Sequence, residues 1–331
     1  MIEAKVDVAI VGAGPAGLAC GIEAKRLGYD YLILEKGCVV NSIYRYPRDM
    51  TFFTTADLLE IGDIPMISPF EKPKRIDGLN YYRKVVEIYD LPIRDYTRLV
   101  HIEGAKDDFR LLTRTEREAG PHIEETILAR RVILALGYYD NPTYLGIPGE
   151  DLPNVSHYFT EVHPYFRKKV AVIGGRNSAA EAALLLFRGG ADVTLIHRRD
   201  ALGKEIKYWV LPDIENRIKK KEVRALFNTI VTRIEPARIW LKNGQEEQPL
   251  ENDFVFALTG YHPDADFLKR IGIQVDPVTY RPQHDPETLE SNMPGIYLAG
   301  GMVSGKETNK VFIETGRFHG VQIFNSPGFL G

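Results

Sequence analysis

The strand-and-glycine-turn string that opens this chain occurs twice. Val8-Ala9-Ile10-Val11-Gly12-Ala13-Gly14-Pro15-Ala16-Gly17 returns 162 residues later as Val170-Ala171-Val172-Ile173-Gly174-Gly175-Arg176-Asn177-Ser178-Ala179. The register holds to the end of each unit: Gly28 falls opposite Gly190, Leu32-Ile33-Leu34 opposite Thr194-Leu195-Ile196, and Glu35 opposite His197. One such turn is weak evidence, but two in register imply two βαβ units, each built to hold a dinucleotide. A short apolar strand runs into a turn that only small residues permit, and the helix that follows begins with free N–H groups aimed at a pyrophosphate. Gly12, Ala13, Gly14, Pro15, Ala16 and Gly17 make the first cradle, and Gly174, Gly175, Arg176, Asn177, Ser178 and Ala179 make the second.

The cradles differ where the second strand ends and the adenosine ribose is read. Glu35 can accept both ribose hydroxyls and repels a 2'-phosphate, which suits FAD or NAD. His197-Arg198-Arg199 offers two cations and no carboxylate, which suits NADPH. A solvated charged turn is the ordinary alternative for Arg198 and Arg199, but their place after Ile196 favours the phosphate. Arg176 stands where the first unit has Gly14, and its guanidinium is expected to pair with a cofactor phosphate.

Composition narrows the remaining classes. A chain of 331 residues with 44% apolar content supplies a core for about two domains. Its net charge of -3 carries no basic stripe that would track nucleic acid. Met1-Ile2-Glu3-Ala4-Lys5 passes directly into the first strand and no apolar stretch reaches a membrane span, so the expectation is a soluble cytoplasmic protein without a signal peptide. Two cysteines, Cys20 and Cys38, make neither a disulfide framework nor a metal site.

The order of elements reads as one domain interrupted by another. Residues 40–75, rich in aromatics and proline, read as a long loop over something flat. Tyr81 to Tyr89 reads as helix and Leu99 to Glu103 as strand. Arg110 to Thr113 and Thr126 to Ala129 read as a hairpin around a polar turn, and Arg131 to Gly137 as a separate buried strand. Pro142, Pro148, Pro153 and Pro164 mark the passage to the second unit, and Asp253 to Gly260 the return. A last strand, Pro294 to Gly301, leads to a helix expected over Asn309 to Phe324 with Phe312, Phe318 and Phe324 on its apolar side. The fold expected is α/β of three-layer ββα type. A Rossmann-like FAD domain, residues 1–138 and 262–331, carries an inserted Rossmann-like NADPH domain, residues 139–261, and the two crossings permit rotation.

Longer strings make the reading more specific. Glu35-Lys36-Gly37 with Val40-Asn41-Ser42-Ile43-Tyr44, Thr51-Phe52-Phe53-Thr54, Glu60-Ile61-Gly62-Asp63, the second glycine turn, Ile206-Lys207-Tyr208-Trp209-Val210-Leu211-Pro212 and Thr308-Asn309-Lys310-Val311-Phe312-Ile313-Glu314 together resemble the two-dinucleotide flavoproteins of the low-molecular-weight thioredoxin reductase type. Within them, the chain resembles the YpdA-type bacillithiol disulfide reductases over essentially its whole length. The resemblance implies an FAD-dependent, NADPH-oxidising, homodimeric reductase. It brings Asn41, Ser42, Tyr44, Phe52 and Thr54 towards the ribityl chain and ring, although plain core packing is an equal reading for the aromatics. It adds Lys36, Val100, Ala135, Gly137, Gly300, Gly301, Lys310 and Val311 to the FAD contacts. The helix after Asn309 is expected to aim its positive end at the flavin pyrimidine.

Three departures qualify the resemblance. Thioredoxin reductases carry a Cys-x-x-Cys before the second glycine turn, where this chain has Val155-Ser156-His157-Tyr158-Phe159-Thr160-Glu161-Val162-His163, so no dithiol relay exists there. The bacillithiol reductases carry a cysteine in the first glycine turn, where this chain has Ala16. Superfamily members have an aspartate where this chain has Gly301. Cys20 reads as a buried core thiol and Cys38 as a weak redox candidate near the adenosine end. His157 and His163 are candidates for proton delivery, with ordinary hydrogen-bonded histidines as the alternative. The function expected is hydride transfer from NADPH to FAD and on to an acceptor, foremost a low-molecular-weight disulfide. A ferredoxin or flavodoxin is the first alternative, and a non-catalytic flavin redox sensor the second. The Phe-x-Gly-x-x-x-His string of flavin monooxygenases is absent.

Overall fold

The computed structural model describes residues 2–116 and 121–329. Met1 and the centre of the expected polar turn, residues 117–120, lie outside them. The chain divides into two compact units, Met1–Asn141 with Tyr261–Gly331, and Pro142–Gly260. At the two passages the Thr143 N–H donates to the Gly260 carbonyl (2.8 Å) within the second unit, and the His262 N–H to the Asn141 carbonyl (3.0 Å) within the first.

In the first unit, β1 (Ile2–Val11) runs into α1 (Pro15–Arg26) and β2 (Tyr31–Leu34). Pro15 occupies the first turn of α1, where a missing N–H costs nothing. The stretch read as one long loop contains two short helices, α2 (Asn41–Arg45) and α3 (Ala56–Leu59). Then α4 (Arg75–Tyr89) begins where the Asp77 carboxylate accepts the Lys74 N–H at 2.8 Å. After β3 (Ile93–Arg94) comes an antiparallel meander of β4 (Thr97–Ala105), β5 (Asp108–Thr115) and β6 (Ile123–Leu134). β1 lies between β2 and β6, parallel to both. Alternation sends Val8, Ile10, Ile33 and Ile133 into one core with α1, and Ala9, Val11, Leu32 and Leu34 into another with Leu99, Phe109 and Leu111 of the meander. That arrangement is the expected three-layer ββα stack. One detail differs: the two strands expected at 126–129 and 131–137 are the single strand β6. Arg131, the first residue of the second expected strand, is buried within it. Its guanidinium donates to Asp107 (2.6 Å) and the Arg130 carbonyl (2.8 Å).

The second unit repeats the plan. After β7 (Val155–Ser156) and a 3-10 turn at His163–Tyr165, β8 (Lys169–Ile173), α5 (Asn177–Arg188) and β9 (Asp192–Ile196) form the second βαβ unit. α6 (Leu211–Lys219) and β10 (Arg224–Leu226) follow, then a meander of β11 (Ile230–Glu235), β12 (Arg238–Asn243) and β13 (Glu246–Glu251), and finally β14 (Phe254–Ala257). The parallel sheet has the order β10-β9-β8-β14-β7.

The returning chain adds α7 (Ala265–Arg270), capped by the Asp264 side chain, and β15 (Ile296–Leu298), parallel to β6. A 3-10 turn at Gly300–Ser304 precedes α8 (Ile313–Gly316) and α9 (His319–Phe324). The single helix expected over Asn309 to Phe324 therefore starts four residues later and is broken. The Phe318 N–H bonds to the Thr315 carbonyl, a tightened turn between the two pieces. Phe312 and Phe318 are exposed and only Phe324 is buried. Residues six apart lie about 240° apart around a helix, so the three rings cannot share a face.

Candidate functional site

A cavity of about 460 Å³ opens in the first unit at the C-terminal ends of β1, β2, β6 and β15, the edge at which open α/β sheets bind ligands. Its floor is the first glycine turn. Gly12 has φ +110°, and a Cβ there would run into the Ala135 carbonyl, while one on Gly17 would run into the Gly12 carbonyl. Nothing lies within 4 Å of a Cβ built on Gly14. The outer two glycines are thus demanded by packing, and the middle one leaves open space beside the N-terminus of α1. This cradle fits the pyrophosphate of a dinucleotide.

Glu35, at the end of β2, is buried and lines the same cavity. Its two carboxylate oxygens accept the Ala13 N–H and the Gly37 N–H, each at 2.8 Å. Burial pushes its carboxyl up, and the two backbone donors and Lys36 pull against that. Glu35 is a clasp between turn and strand, with lone pairs left for ribose hydroxyls. At the rim, Asp140 pairs with Lys36 (2.7 Å) and Arg45 (2.5 Å).

Gly12, Gly14, Pro15, Ala16, Glu35, Lys36, Asn41, Ser42, Phe52, Thr54, Val100, Ala135, Gly137, Gly300, Gly301 and Val311 all line the cavity. Ala13 and Gly17 lie behind the lining. Two of the expected residues lie outside this lining. Tyr44 is exposed, with the Arg75 guanidinium 5.5 Å from its ring centre, because the five-residue helix α2 turns it outward while Ile43 is buried. Lys310 is paired with Glu307 (2.7 Å) and does not line the cavity, since the segment before α8 is not helical.

Sequence reading missed Arg98 and Arg114 from the meander, Tyr138 and Asp140 after β6, and Glu314. The meander cations carry no motif, but Tyr138 and Asp140 directly follow the small-residue end of β6, which was a usable signal. Tyr138 also gives the departure at Gly301 a local reason: a Cβ on Gly301 would come within 2.5 Å of its ring. Burial, with Glu314 nearby, pushes the Tyr138 hydroxyl up to about 12.

Neither cysteine lines the cavity. Cys20 is wholly buried in α1 and its thiol is pushed up to about 12 by burial. Cys38 is half-buried, its sulfur 3.7 Å from Asn41 Oδ1. Burial raises its thiol too, with Glu35 and Asp95 adding to the shift, which is the reverse of activation. His157 and His163 belong to the second unit. His157 Nδ1 lies 3.1 Å from the Ala257 carbonyl, and its ring packs edge-on against Tyr144.

The second cradle has its own packing logic. A Cβ on Gly174 would come within 2.6 Å of the Leu258 carbonyl, and one on Gly175 would collide with the His197 ring. Burial and the adjacent Arg199 and Arg198 lower the His197 imidazole. Arg198 and Arg199 are exposed just beyond β9. Their backbone is pinned by the Thr229 N–H on the His197 carbonyl (3.1 Å) and the Asn228 N–H on the Arg199 carbonyl (2.9 Å). The Asn177 side chain is spent on the loop after β9, accepting the Lys207 N–H at 2.8 Å. Arg176 donates to Glu205 Oε1 at 2.8 Å. Among the described residues no cluster of His, Cys, Asp and Glu could hold a metal ion, and no helix is long and apolar enough to cross a membrane.

Residues 9–300 match the pyridine nucleotide-disulphide oxidoreductase family. The bacilliredoxin reductase Bdr of Bacillus subtilis is 42% identical over 315 residues, 95% of each chain. The structure of the bacillithiol disulfide reductase Bdr (YpdA) from Bacillus cereus superposes with a TM-score of 0.93 at 40% identity, over 96% of this chain and 97% of that one. The protein of the same name from Staphylococcus aureus gives 0.91 at 39% identity, over 97% of both chains.

Proposed function

Because the chain belongs to the pyridine nucleotide-disulphide oxidoreductase family and is an oxidoreductase that uses FAD and NAD(P)H, we propose that it reduces a low-molecular-weight disulfide of the bacillithiol disulfide type at the expense of NADPH. The observation that carries this reading is likeness of about 40% identity, across nearly the whole chain, to proteins named for that substrate and for its redoxin. The first unit holds FAD: the N-terminus of α1 at Gly14 takes the pyrophosphate, Glu35 the ribose, and the Gly300–Gly301 turn lies on the flavin side. The second unit holds NADPH, with Arg198 and Arg199 on the 2'-phosphate and the N-terminus of α5 on the pyrophosphate. When bound, FAD accepts a hydride from NADPH and supplies the electron pair that, with two protons in all, turns one disulfide into two thiols.

The protein's part is to hold the dinucleotides, orient them and manage charge. Two free cysteines fit a reducing compartment, so we place the enzyme in the cytoplasm, as a homodimer in keeping with the resemblance. One observation favours a second reading. No thiol lines the cavity, and Ala16 stands where the bacillithiol reductases carry one, so a ferredoxin or flavodoxin that needs no thiol is the rival acceptor.

The test is steady-state oxidation of NADPH by the FAD-loaded protein with bacillithiol disulfide, ferredoxin and flavodoxin in parallel. The proposal expects acceleration by the disulfide. No acceleration above the oxygen background with the disulfide, alongside turnover with a redox protein, overturns it in favour of the rival.

A further inference from the structure

We propose that Glu205 is a built-in competitor for the dinucleotide pyrophosphate at Arg176, and that it thereby weakens the hold of the second unit on nicotinamide nucleotides of both kinds. The inference rests on the reading that this unit binds the nucleotide, and goes beyond it. Arg176 is the residue immediately before α5, in extended conformation (φ -121°, ψ -167°). It therefore stands at the helix N-terminus, where a pyrophosphate docks. Its guanidinium is exposed and held by Glu205 Oε1 at 2.8 Å.

Glu205 is brought there by the loop after β9, which folds back over the glycine turn through contacts with three consecutive turn residues. The Gly203 N–H donates to the Gly175 carbonyl (2.8 Å), and Asn177 donates through Nδ2 to the Glu205 carbonyl (3.2 Å) while accepting the Lys207 N–H. The nearest buried cation of that loop, Lys207, is paired with Glu181 at 2.8 Å. Arg176 is thus the cation of the turn that faces the carboxylate of the loop.

A phosphate and a carboxylate compete for one guanidinium because both match its planar fork. A pyrophosphate that wins Arg176 leaves the Glu205 carboxylate without its cation and close to a like charge. Both effects oppose binding, and both are common to NADPH and NADH, which share the pyrophosphate. The Arg198–Arg199 pair acts differently, because only NADPH carries the 2'-phosphate. Glu205 is accordingly expected to tune affinity and product release without altering the preference between the two nucleotides.

The test is calorimetric titration of the FAD-loaded full chain with NADP and NAD in oxidised form. Four proteins are compared: wild type, Glu205→Gln, Arg176→Gln and the double variant. Both positions are exposed at the side chain, so folding is retained, and a thermal melt confirms it. Glu205→Gln is expected to tighten both nucleotides by about threefold, the scale of an exposed ion pair, with their ratio unchanged. Arg176→Gln loosens both, and adding Glu205→Gln to it tightens them by clearly less than in the wild-type background, the part that the like charge alone contributes. Unchanged affinity in Glu205→Gln, or equal tightening with and without Arg176, overturns the inference while leaving the nucleotide site standing. Failure of the wild type to bind either nucleotide removes the underlying reading and the inference with it.

Discussion

Acidification through the range between pH 6.5 and 4 is expected to destabilise the first unit through one side chain, His319. It is buried in α9, and its Nδ1 accepts the Gly300 N–H at 3.0 Å. Gly300, at φ +73°, begins the 3-10 turn after β15 and lines the cavity. Burial chiefly, and His284 to a lesser degree, pull the imidazole down from 6.5 to about 4. A protonated Nδ1 can no longer accept, so the folded state resists the proton that the unfolded chain takes up from about pH 6.5 downward. The stability is therefore fully present above pH 6.5 and is lost as pH falls through about 4. A shift of about 2.5 units corresponds to about 3 kcal/mol.

Urea unfolding of the FAD-loaded protein at steps from pH 7 to pH 4 measures it, with His319→Gln as the comparison, since a glutamine can accept from Gly300 without titrating there. Wild type is expected to lose about 3 kcal/mol more than the variant over the range, with FAD release shifting in step. Parallel losses in the two proteins would refute the reasoning.

Three further outcomes follow from the sites. Replacing Arg198 and Arg199 together with alanine is expected to raise the KM for NADPH at least tenfold, as loss of charge-assisted hydrogen bonds of about 1.5–3 kcal/mol implies, and to leave that for NADH within about twofold; steady-state kinetics with both nucleotides checks it. Gly301→Asp, which introduces the superfamily's aspartate, is expected to weaken FAD binding because its Cβ meets the Tyr138 ring at 2.5 Å, and the added change Tyr138→Ala is expected to recover affinity in a flavin titration. Cys38→Ser is expected to leave disulfide-dependent turnover within about twofold, because its thiol is raised rather than activated.

What the sequence disclosed was set by how local each feature is. The glycine turns at Gly12 and Gly174 and the residues at the end of the next strand, Glu35 and His197, announce themselves because backbone geometry permits few alternatives there. The meander was legible as a strand and a hairpin, yet the Arg130-Arg131 pair hid the continuity of β6, since the buried Arg131 is held by Asp107, whose proximity no local pattern reveals. The C-terminal helix was misjudged because a spacing of six between phenylalanines was read as a face. Cavity residues contributed by the meander, Arg98 and Arg114, and the steric pairing of Tyr138 with Gly301 arise from long-range contacts. The Arg176–Glu205 pair was hidden for the same reason: its partners are 29 residues apart and meet only because the loop after β9 folds back.

The most direct test of the account is anaerobic and stepwise. The protein is loaded with FAD, reduced with one equivalent of NADPH, and then given bacillithiol disulfide while flavin absorbance is followed. Bleaching by NADPH and rapid return of the oxidised spectrum on adding the disulfide are expected, with two thiols released per NADPH. A flavin that NADPH reduces but that stays reduced in the presence of the disulfide would contradict it.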